Sequence, residues 1–311
     1  MTDPHSNDAL SGVWSAAVTP LHDDLTVNLD AMVAHHKWLL ANGCNGVAVL
    51  GTTGEANSFS TPERLDIIAA AAGSGIAKEQ LLIGTGCCAP TDTVELTRAA
   101  LDAGFNQILM LPPFYYKGVS DDGIFAAFDN VIQTLGDDRM RIVVYDFPLM
   151  TGLEISVDLL VRLNKAYPDT IVGVKDSSGN WPAMQAVIDA IPGFRMFAGT
   201  EQYLLADLQA GGAGCITATG NATSNLCQAV YTAHLAGDAA AAAAAQEIAT
   251  ATRLMLQPHG AVPAMKELMA QNSGNPAWRN MRPPLMPLSA DGIAALDEAC
   301  QELDFRLAEA P

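Results

Sequence analysis

The chain has 311 residues, of which 50% are hydrophobic and 16% are charged. This composition excludes a disordered chain and predicts a globular protein with a large apolar core. The formal net charge of −18 disfavours nucleic acids and anionic membranes as partners, because proteins bind these polyanions through Lys and Arg.

Short apolar runs alternate with helical patterns up to residue 219. The second predicted helix has Thr61 as N-cap, Pro62 at the first helical position and Glu63 in the first turn. The predicted strands are 12–20, 46–55 (a range that includes the loop after the strand), 81–86, 107–113, 141–148, 170–175, 194–199 and 214–219. The predicted helices between them are 28–44, 61–73, 91–103, 120–135, 156–166, 181–190 and 200–210.

Eight apolar strands, each followed by a helix, indicate a parallel sheet covered on both faces and predict a (β/α)8 TIM barrel. A doubly wound sheet alternates in the same way, but no G-x-G-x-x-G follows the first strand. Beyond residue 224 the pattern is purely helical. We therefore predict a flexible N-terminus at 1–10, a barrel core at 11–224, and the last barrel helix with a C-terminal helical extension at 225–311.

Polar residues that follow the apolar strands are the candidates for an active site, because barrel enzymes place their chemistry at the carboxyl ends of the strands. Two threonines follow the second strand, tyrosines follow the fourth and end the fifth, and a lysine ends the sixth. These residues are Thr52, Thr53, Tyr115 or Tyr116, Tyr145 and Lys175.

Lys175 has two interpretations. A lysine at a strand end commonly extends its amine to solvent. An amine held inside an apolar barrel is instead more easily deprotonated, and a neutral amine attacks a ketone to form a Schiff base. Tyr145 could be a core aromatic residue, but on the neighbouring strand it would also supply the proton carrier that this chemistry needs.

The stretch "GTTGE" (51–55) also has two interpretations. It could be a tight loop in which Gly supplies backbone freedom and Thr caps the following turn. It could instead form a nest of N–H groups and hydroxyls that binds a small carboxylate. Thr52 and Thr53 are uncharged, and this suits an anionic ligand.

Several kinds of site are not indicated by any pattern in the sequence. His35 and His36 begin no metal-ligand spacing, and there is no phosphate loop or serine elbow, so we expect neither a metal nor another cofactor. The six cysteines lack C-x-x-C spacing and are expected to be free thiols. The first ten residues resemble no secretory signal and no apolar run reaches about 18 residues, so we expect a cytoplasmic protein.

The combination of "GTTGE", "YDFP" and "GVKDSSG" resembles the dihydrodipicolinate synthase and N-acetylneuraminate lyase family. The resemblance extends from "GVWSAAVTP" to the C-terminal helices. It implies a (β/α)8 barrel with a three-helix C-terminal extension, a homotetramer, and a lysine that forms a Schiff base with pyruvate or another 2-oxo acid.

The resemblance also implies roles for individual residues. Lys175 matches the Schiff-base lysine, and Tyr145 matches the tyrosine that transfers protons. Thr52 and Thr53 match the loop that binds the 2-oxo carboxylate, with Thr53 in the proton relay. Tyr115 matches the residue that reaches a neighbouring subunit's site, with Tyr116 as the alternative. Gly199, Glu201 and Ile216 are expected to line the substrate pocket.

Two departures from the family pattern bear on the substrate. Dihydrodipicolinate synthases carry an arginine for the semialdehyde carboxylate where this chain has Met150, so we expect no cation there. Sialic-acid lyases carry an acidic pair after the seventh strand and a serine after the eighth. This chain has Glu201, Gln202 and Ala218 at those positions.

Together these features predict a lyase that cleaves a 2-oxo-3-deoxy sugar acid reversibly to pyruvate and an aldehyde. A dehydratase acting on a similar acid would use the same residues, and a dihydrodipicolinate synthase is the other alternative. A catalytically silent barrel that senses sugar acids would need the Lys175, Tyr145 and threonine constellation to be vestigial.

Overall fold

The computed structural model describes residues 10–309, and within them eight parallel strands close into a barrel in sequence order. The predicted fold class is therefore confirmed. The strands are β1 Gly12–Ala16, β2 Gly46–Val49, β3 Leu81–Gly84, β4 Gln107–Met110, β5 Arg141–Asp146, β6 Ile171–Asp176, β7 Arg195–Ala198 and β8 Gly214–Thr217.

Helices cover the outer face of the barrel. Eight of the described helices follow the pattern of one helix after each strand, and α5 is an additional single turn that the sequence did not predict. The helices are α1 Leu29–Ala41, α2 Thr61–Gly73, α3 Pro90–Asp102, α4 Asp121–Leu135, α5 Pro148–Thr151, α6 Val157–Ala166, α7 Trp181–Ala190, α8 Leu204–Ala210 and α9 Gly220–Leu235.

Successive side chains of each strand point to opposite faces of the barrel wall, and they form two separate apolar cores. The outer core fills the space between strands and helices, and the inner core fills the interior of the barrel, here called the lumen. Trp14 belongs to the inner core. A Cβ at Gly46 would lie 2.3 Å from the Trp14 ring, so only glycine at this position admits the indole. Tyr145 and Ile216 belong to the same inner core.

Strand β6 contains one extra residue relative to β5. Ile142 is paired with Ile171, whereas the next residue, Val143, is paired with Gly173, so the register shifts between them. Such a bulge changes which face of the sheet each following residue occupies. Beyond it, Tyr145 is paired with Lys175.

Three helices follow the barrel in the described part of the chain: α10 Ala239–Leu256, α11 Ala261–Ser273 and α12 Ala290–Glu302. The alanine run 239–245 lies in α10, where Ala242 and Ala249 are buried. The predicted boundary at 224 falls inside α9 and stays a prediction. Residues 1–9 of the predicted flexible N-terminus lie outside the described residues, and Leu10 is buried in the inner core.

The start of α2 differs from the prediction in one detail. Ser60, not Thr61, is the N-cap, because its hydroxyl accepts a hydrogen bond from Glu63 N while the Glu63 carboxylate accepts one from Ser60 N. This capping box satisfies two of the amide groups that a helix start leaves free. The six cysteines are free, as predicted.

Candidate active site

Lys175 and Tyr145 lie side by side at the carboxyl end of the lumen. Lys175 Nζ is 4.2 Å from the centroid of the Tyr145 ring, and each residue is only 3% exposed. Phe197, the partner of Lys175 on β7, is fully buried. The amine therefore does not extend to solvent, and the geometry favours the interpretation of an amine held in an apolar barrel.

The hydroxyl of Tyr145 also contacts the loop after β2. Thr52 Oγ1 lies 3.3 Å from Tyr145 Oη, and either oxygen can donate the hydrogen bond. Thr53 is buried in the same loop. Tyr145 thus contacts the amine of Lys175 with its ring and Thr52 with its hydroxyl, so one side chain connects the loop to the amine.

The backbone of this loop is strained at both ends. Leu50 and Glu55 have φ values of 60° and 57°, in the left-handed region that residues with a side chain rarely occupy. Within the loop, Glu55 N donates to Thr52 O at 3.0 Å and Thr19 Oγ1 donates to Gly54 O at 2.8 Å. The loop is therefore held in a defined conformation that ordinary backbone preferences would not select.

A cavity opens between this loop and Tyr145. Gly51, Thr52 and Tyr145 line it, together with Gly86 and Leu111 from the ends of the two following strand regions. The threonine loop and the tyrosine therefore border one space.

The residues predicted on β7 and β8 lie in different environments. Ile216 is fully buried in the inner core, on the same side of the wall as Tyr145. Gly199 N donates to Asp176 O at 2.6 Å, and a Cβ on Gly199 would lie only 2.6 Å from that oxygen. Glycine therefore allows β7 to approach the end of β6 closely, next to Lys175.

Glu201 is turned away from the lumen, in contrast to the expectation from the sequence. Its fully buried carboxylate accepts hydrogen bonds from the hydroxyls of Thr217, Thr219 and Thr223. Thr217 follows Ile216 on β8, so it projects from the opposite face of the strand. Glu201 supports the wall from outside, and this position argues against a direct contact with substrate.

Tyr115 and Tyr116 follow β4 and are 73% and 74% exposed. Their rings form an edge-to-face pair with centroids 5.4 Å apart. Neither ring enters the lumen of its own chain. An exposed pair of tyrosines beside the site is compatible with a reach into a neighbouring subunit, and this role stays a prediction for both residues.

Lys117 is a cation near the site that the sequence interpretation missed. Its amine donates to Phe114 O and Thr151 O and so joins the β4 loop to α5. Thr151 is the residue after Met150, which is 59% exposed. The loop after β4 thus brings Lys117 to the residue next to Met150, and the expectation that Met150 leaves the aldehyde carboxylate without a dedicated cationic anchor stays a prediction.

Two carboxyl groups lie directly behind the amine and the phenol. Asp146 and Asp176 follow Tyr145 and Lys175, are paired in register, and are each 5% exposed. Burial and the neighbouring Asp176 raise the pKa of Asp146 to about 7, and burial also raises the pKa of Asp176. Strand alternation from Tyr145 and Lys175 was the signal that could have revealed this outward-facing pair.

Each of these carboxylates also has a structural hydrogen bond. Asp146 Oδ1 accepts from Ile155 N at 3.3 Å, and Asp176 Oδ1 accepts from Ser178 N at 2.7 Å. Asn180 caps α7 through Ala183 N. Asn180 is therefore the N-cap of α7, whereas Asp176 ends β6 and faces Asp146.

Comparison with known proteins identifies the family. The model of the Dihydrodipicolinate synthetase family matches residues 9–303. The chain belongs to this family. Dihydrodipicolinate synthetase family proteins are carbon–carbon lyases of the class I aldolase type, and the protein is an enzyme of this kind.

Several family members are similar along nearly their whole length. An uncharacterized DapA-like lyase of Chloroflexus aurantiacus is 37% identical over 297 residues, which cover 94% of this chain and 96% of that protein. A 4-hydroxy-tetrahydrodipicolinate synthase of Methanococcoides burtonii is 30% identical, with 94% and 98% covered. The crystal structure of E. coli K12 YagE, a prophage protein of the dihydrodipicolinic acid synthase family in complex with pyruvate, matches with a TM-score of 0.86 at 26% identity, covering 95% of this chain and 99% of that one.

Two kinds of feature are absent from the residues that the structure describes. None of the helices between residues 10 and 309 is long and apolar enough to cross a membrane. Within the same residues, no group of three or more His, Cys, Asp or Glu side chains has an arrangement that could hold a metal ion.

Proposed function

We propose that the protein cleaves a 2-oxo-3-deoxy sugar acid reversibly to pyruvate and an aldehyde, through a Schiff base on Lys175. The observation that carries the proposal is the buried contact of Lys175 Nζ with Tyr145, whose hydroxyl lies 3.3 Å from Thr52 Oγ1. The similarity to a family member crystallised with pyruvate supports pyruvate as the shared product.

The first half of the reaction builds the iminium. The neutral amine of Lys175 adds to the C2 ketone, while the substrate carboxylate lies on the loop of Thr52 and Thr53. Tyr145 gives a proton to the resulting C2 hydroxyl, which leaves as water and forms the C2=N⁺ bond.

The second half breaks the carbon–carbon bond. Tyr145, now deprotonated, takes the proton of the C4 hydroxyl, so that C4 becomes the aldehyde carbonyl. The C3–C4 electron pair moves toward the iminium and forms an enamine. Protonation at C3 and hydrolysis by water then release pyruvate and restore the lysine, so no other reactant is consumed.

A product assay tests this proposal. Purified protein is incubated with a panel of 2-oxo-3-deoxy sugar acids, and pyruvate and aldehyde are quantified beside the Lys175→Arg variant. Arginine stays protonated at neutral pH and cannot attack the ketone, so we expect release by the unmodified protein only. A dehydrated oxo acid without pyruvate would instead identify a dehydratase, and no turnover across the panel would contradict the proposal.

Adduct trapping gives a second test that depends less on the substrate. Pyruvate and borohydride are expected to add one reduced adduct per chain, because reduction converts the iminium to a stable amine. Peptide mapping should locate the adduct at Lys175. An adduct at another lysine, or no adduct, would contradict the assignment.

The position of Lys117 favours a second candidate, a dihydrodipicolinate synthase. Its amine at Thr151 O lies beside Met150 and could attract the carboxylate of an aldehyde such as aspartate semialdehyde. The 30% identity to a 4-hydroxy-tetrahydrodipicolinate synthase supports the same candidate. More efficient condensation of pyruvate with aspartate semialdehyde than with every neutral hydroxyaldehyde would favour this function.

We also propose that the protein is a cytoplasmic homotetramer in which Tyr115 of one subunit enters the site of another. The exposed Tyr115 and Tyr116 pair supports this arrangement. Sedimentation of the wild-type protein should give a tetramer mass. A fully active monomer would exclude the contribution of Tyr115 to a neighbouring site.

A further inference from the structure

The loop that carries Thr52 and Thr53 is connected to the C-terminal extension by a buried ion pair. Glu55 ends the loop, and its carboxylate pairs with Lys266 of α11, 211 residues away in sequence. Both side chains are 0% exposed. Lys266 Nζ also donates to Asn280 O at 2.7 Å, so the amine is held by two partners.

A contribution to the stability of the fold does not account well for the Glu55–Lys266 ion pair. Removing two charges from water is costly, and well-packed apolar residues often replace a buried ion pair without loss of stability. Glu55 is also a residue whose backbone is in the left-handed region, at φ 57°. A buried, directional attachment at a strained residue is suited to fixing the position of the loop.

The other end of the loop is constrained as well. Leu50 is strained at φ 60° and 3% exposed. A Cβ on Gly84 would lie 2.1 Å from Leu50 O, so glycine lets β3 press directly against this residue. The loop is therefore fixed at one end by its contact with β3 and at the other end by the Glu55–Lys266 ion pair.

Arg282, also in the extension, adds contacts around the same segment. Its backbone N donates to Glu55 Oε2 at 3.3 Å, and its guanidinium donates to Ser58 O at 2.9 Å and Leu25 O at 2.9 Å. These bonds join the extension to residues on both sides of Glu55. The attachment is thus a small network, with Lys266 as its fully buried cation.

We propose that Lys266 is a positioning residue for the reaction: through Glu55 it fixes the loop 51–54 and so holds Thr52 against Tyr145. The inference rests on the proposed function, because it assigns to this loop the carboxylate of the 2-oxo acid. Lys266 itself does not reach the lumen. Loss of the pair should therefore weaken binding of the acid more than it slows the steps at Lys175.

The test compares two ion pairs of α11. Lys266→Met removes the cation from Glu55, and Glu267→Gln weakens the neighbouring pair with Arg279, which stays inside the extension. The pyruvate concentration for half-maximal borohydride trapping, KM, kcat and Tm are measured for both variants. We expect Lys266→Met to raise the half-saturating concentration about tenfold, which equals about 1.4 kcal/mol of binding, with a smaller change in kcat. Glu267→Gln should lower Tm and leave half-saturation unchanged.

If Lys266→Met reaches half-maximal trapping at the same pyruvate concentration as the wild-type protein, the inference is overturned. Glu55→Gln, which keeps the shape of the side chain, should show the same rise and decides the question if Lys266→Met does not fold. Amide hydrogen exchange of residues 51–56 without ligand should be faster in both loop variants than in Glu267→Gln. If the wild-type protein traps no pyruvate, the proposed function is wrong, and the exchange comparison alone then supports or overturns the positioning role.

Discussion

Tyr145 and Lys175 are register partners on adjacent strands, with the amine 4.2 Å from the centroid of the phenol ring. Both side chains enter the lumen, whereas the aspartates that follow them face outward. The barrel thus places a nucleophile and a proton carrier together inside and two acids behind them.

The hydroxyl of Tyr145 is expected to carry most of the proton transfer. Tyr145→Phe keeps the ring beside Lys175 and removes only the oxygen that contacts Thr52. We expect kcat to fall by about 10²- to 10⁴-fold, the usual contribution of general acid–base catalysis. Steady-state kinetics measure the effect. Tyr167→Phe, whose hydroxyl contacts Asp129 on the outer helices, is the control, and equal rates for the two variants would contradict the role.

Lys117 is expected to influence the choice of aldehyde. If its amine attracts a carboxylate, Lys117→Met should lower kcat/KM for aspartate semialdehyde about tenfold or more and leave neutral hydroxyaldehydes unchanged, since a charged hydrogen bond contributes roughly 1.5–3 kcal/mol. Met150→Arg should instead shift the preference toward aspartate semialdehyde. Lys165→Met on α6 serves as the control. An equal loss for charged and neutral aldehydes would show a structural role instead.

The buried pair Asp146 and Asp176 is expected to make stability depend on pH. The pKa of Asp146 is raised to about 7 from 3.8, so between these values the folded protein binds a proton that the unfolded chain releases. Stability contributed by this proton is present at low pH and is lost as pH rises toward 7, by about 1.4 kcal/mol for each unit of pKa shift.

Urea unfolding between pH 5 and 8 measures this dependence. Asp146→Asn keeps an oxygen for Ile155 N and removes the titration. We expect its unfolding free energy to decline less than that of the wild-type protein as pH rises. Parallel curves for the two proteins would contradict the assignment.

Two buried histidines are expected to make the folded protein less stable as pH falls, whereas Asp146 makes it less stable as pH rises. Burial lowers the pKa of His35 to about 4 and of His36 to about 3, below the ordinary value of 6.5. The unfolded chain gains these protons as pH falls below 6.5 while the folded protein does not, so stability decreases between pH 6.5 and about 4. His36→Leu should reduce this decrease, and thermal unfolding at pH 5 and 7 tests it. An unchanged difference in Tm would count against the prediction.

Chelation is expected to have no effect on turnover. In the proposed reaction the iminium on Lys175 draws the electron pair of the breaking bond, which is the task a Lewis-acid metal performs in other aldolases. Dialysis against EDTA should leave kcat and KM unchanged. Loss of activity that a divalent ion restores would contradict the Schiff-base mechanism.

The order and type of the barrel elements follow from the sequence, because apolar strands that alternate with amphipathic helices specify a covered parallel sheet. Strand ends are less well defined by the sequence. The apolar run 107–113 pairs only as far as Met110, and Pro112 and Pro113 beyond it have no N–H for a ladder. The turn α5 has four residues, too few to show a helical period.

The site is predictable where neighbouring strands define it. Lys175 and Tyr145 end consecutive strands, so parallel pairing alone suggests their contact. The Glu55–Lys266 pair joins residues 211 apart, and no local pattern indicates such a partner. The position of Lys117 depends on the path of a loop, which hydrophobic periodicity does not determine.

The bulge in β6 decides which chemical group the lumen receives. With regular pairing from Ile142 and Ile171 onward, Val174 would stand opposite Tyr145, and Lys175 would project toward the outer helices beside Asp146. In this six-residue strand the shift in register thus separates a barrel with an amine inside from one with an inert alkyl group there. The chemistry of the interior thus depends on how the two backbones are paired and not only on which side chains the strand carries, and deleting Val172 would remove the bulge and leave Lys175 opposite Tyr145.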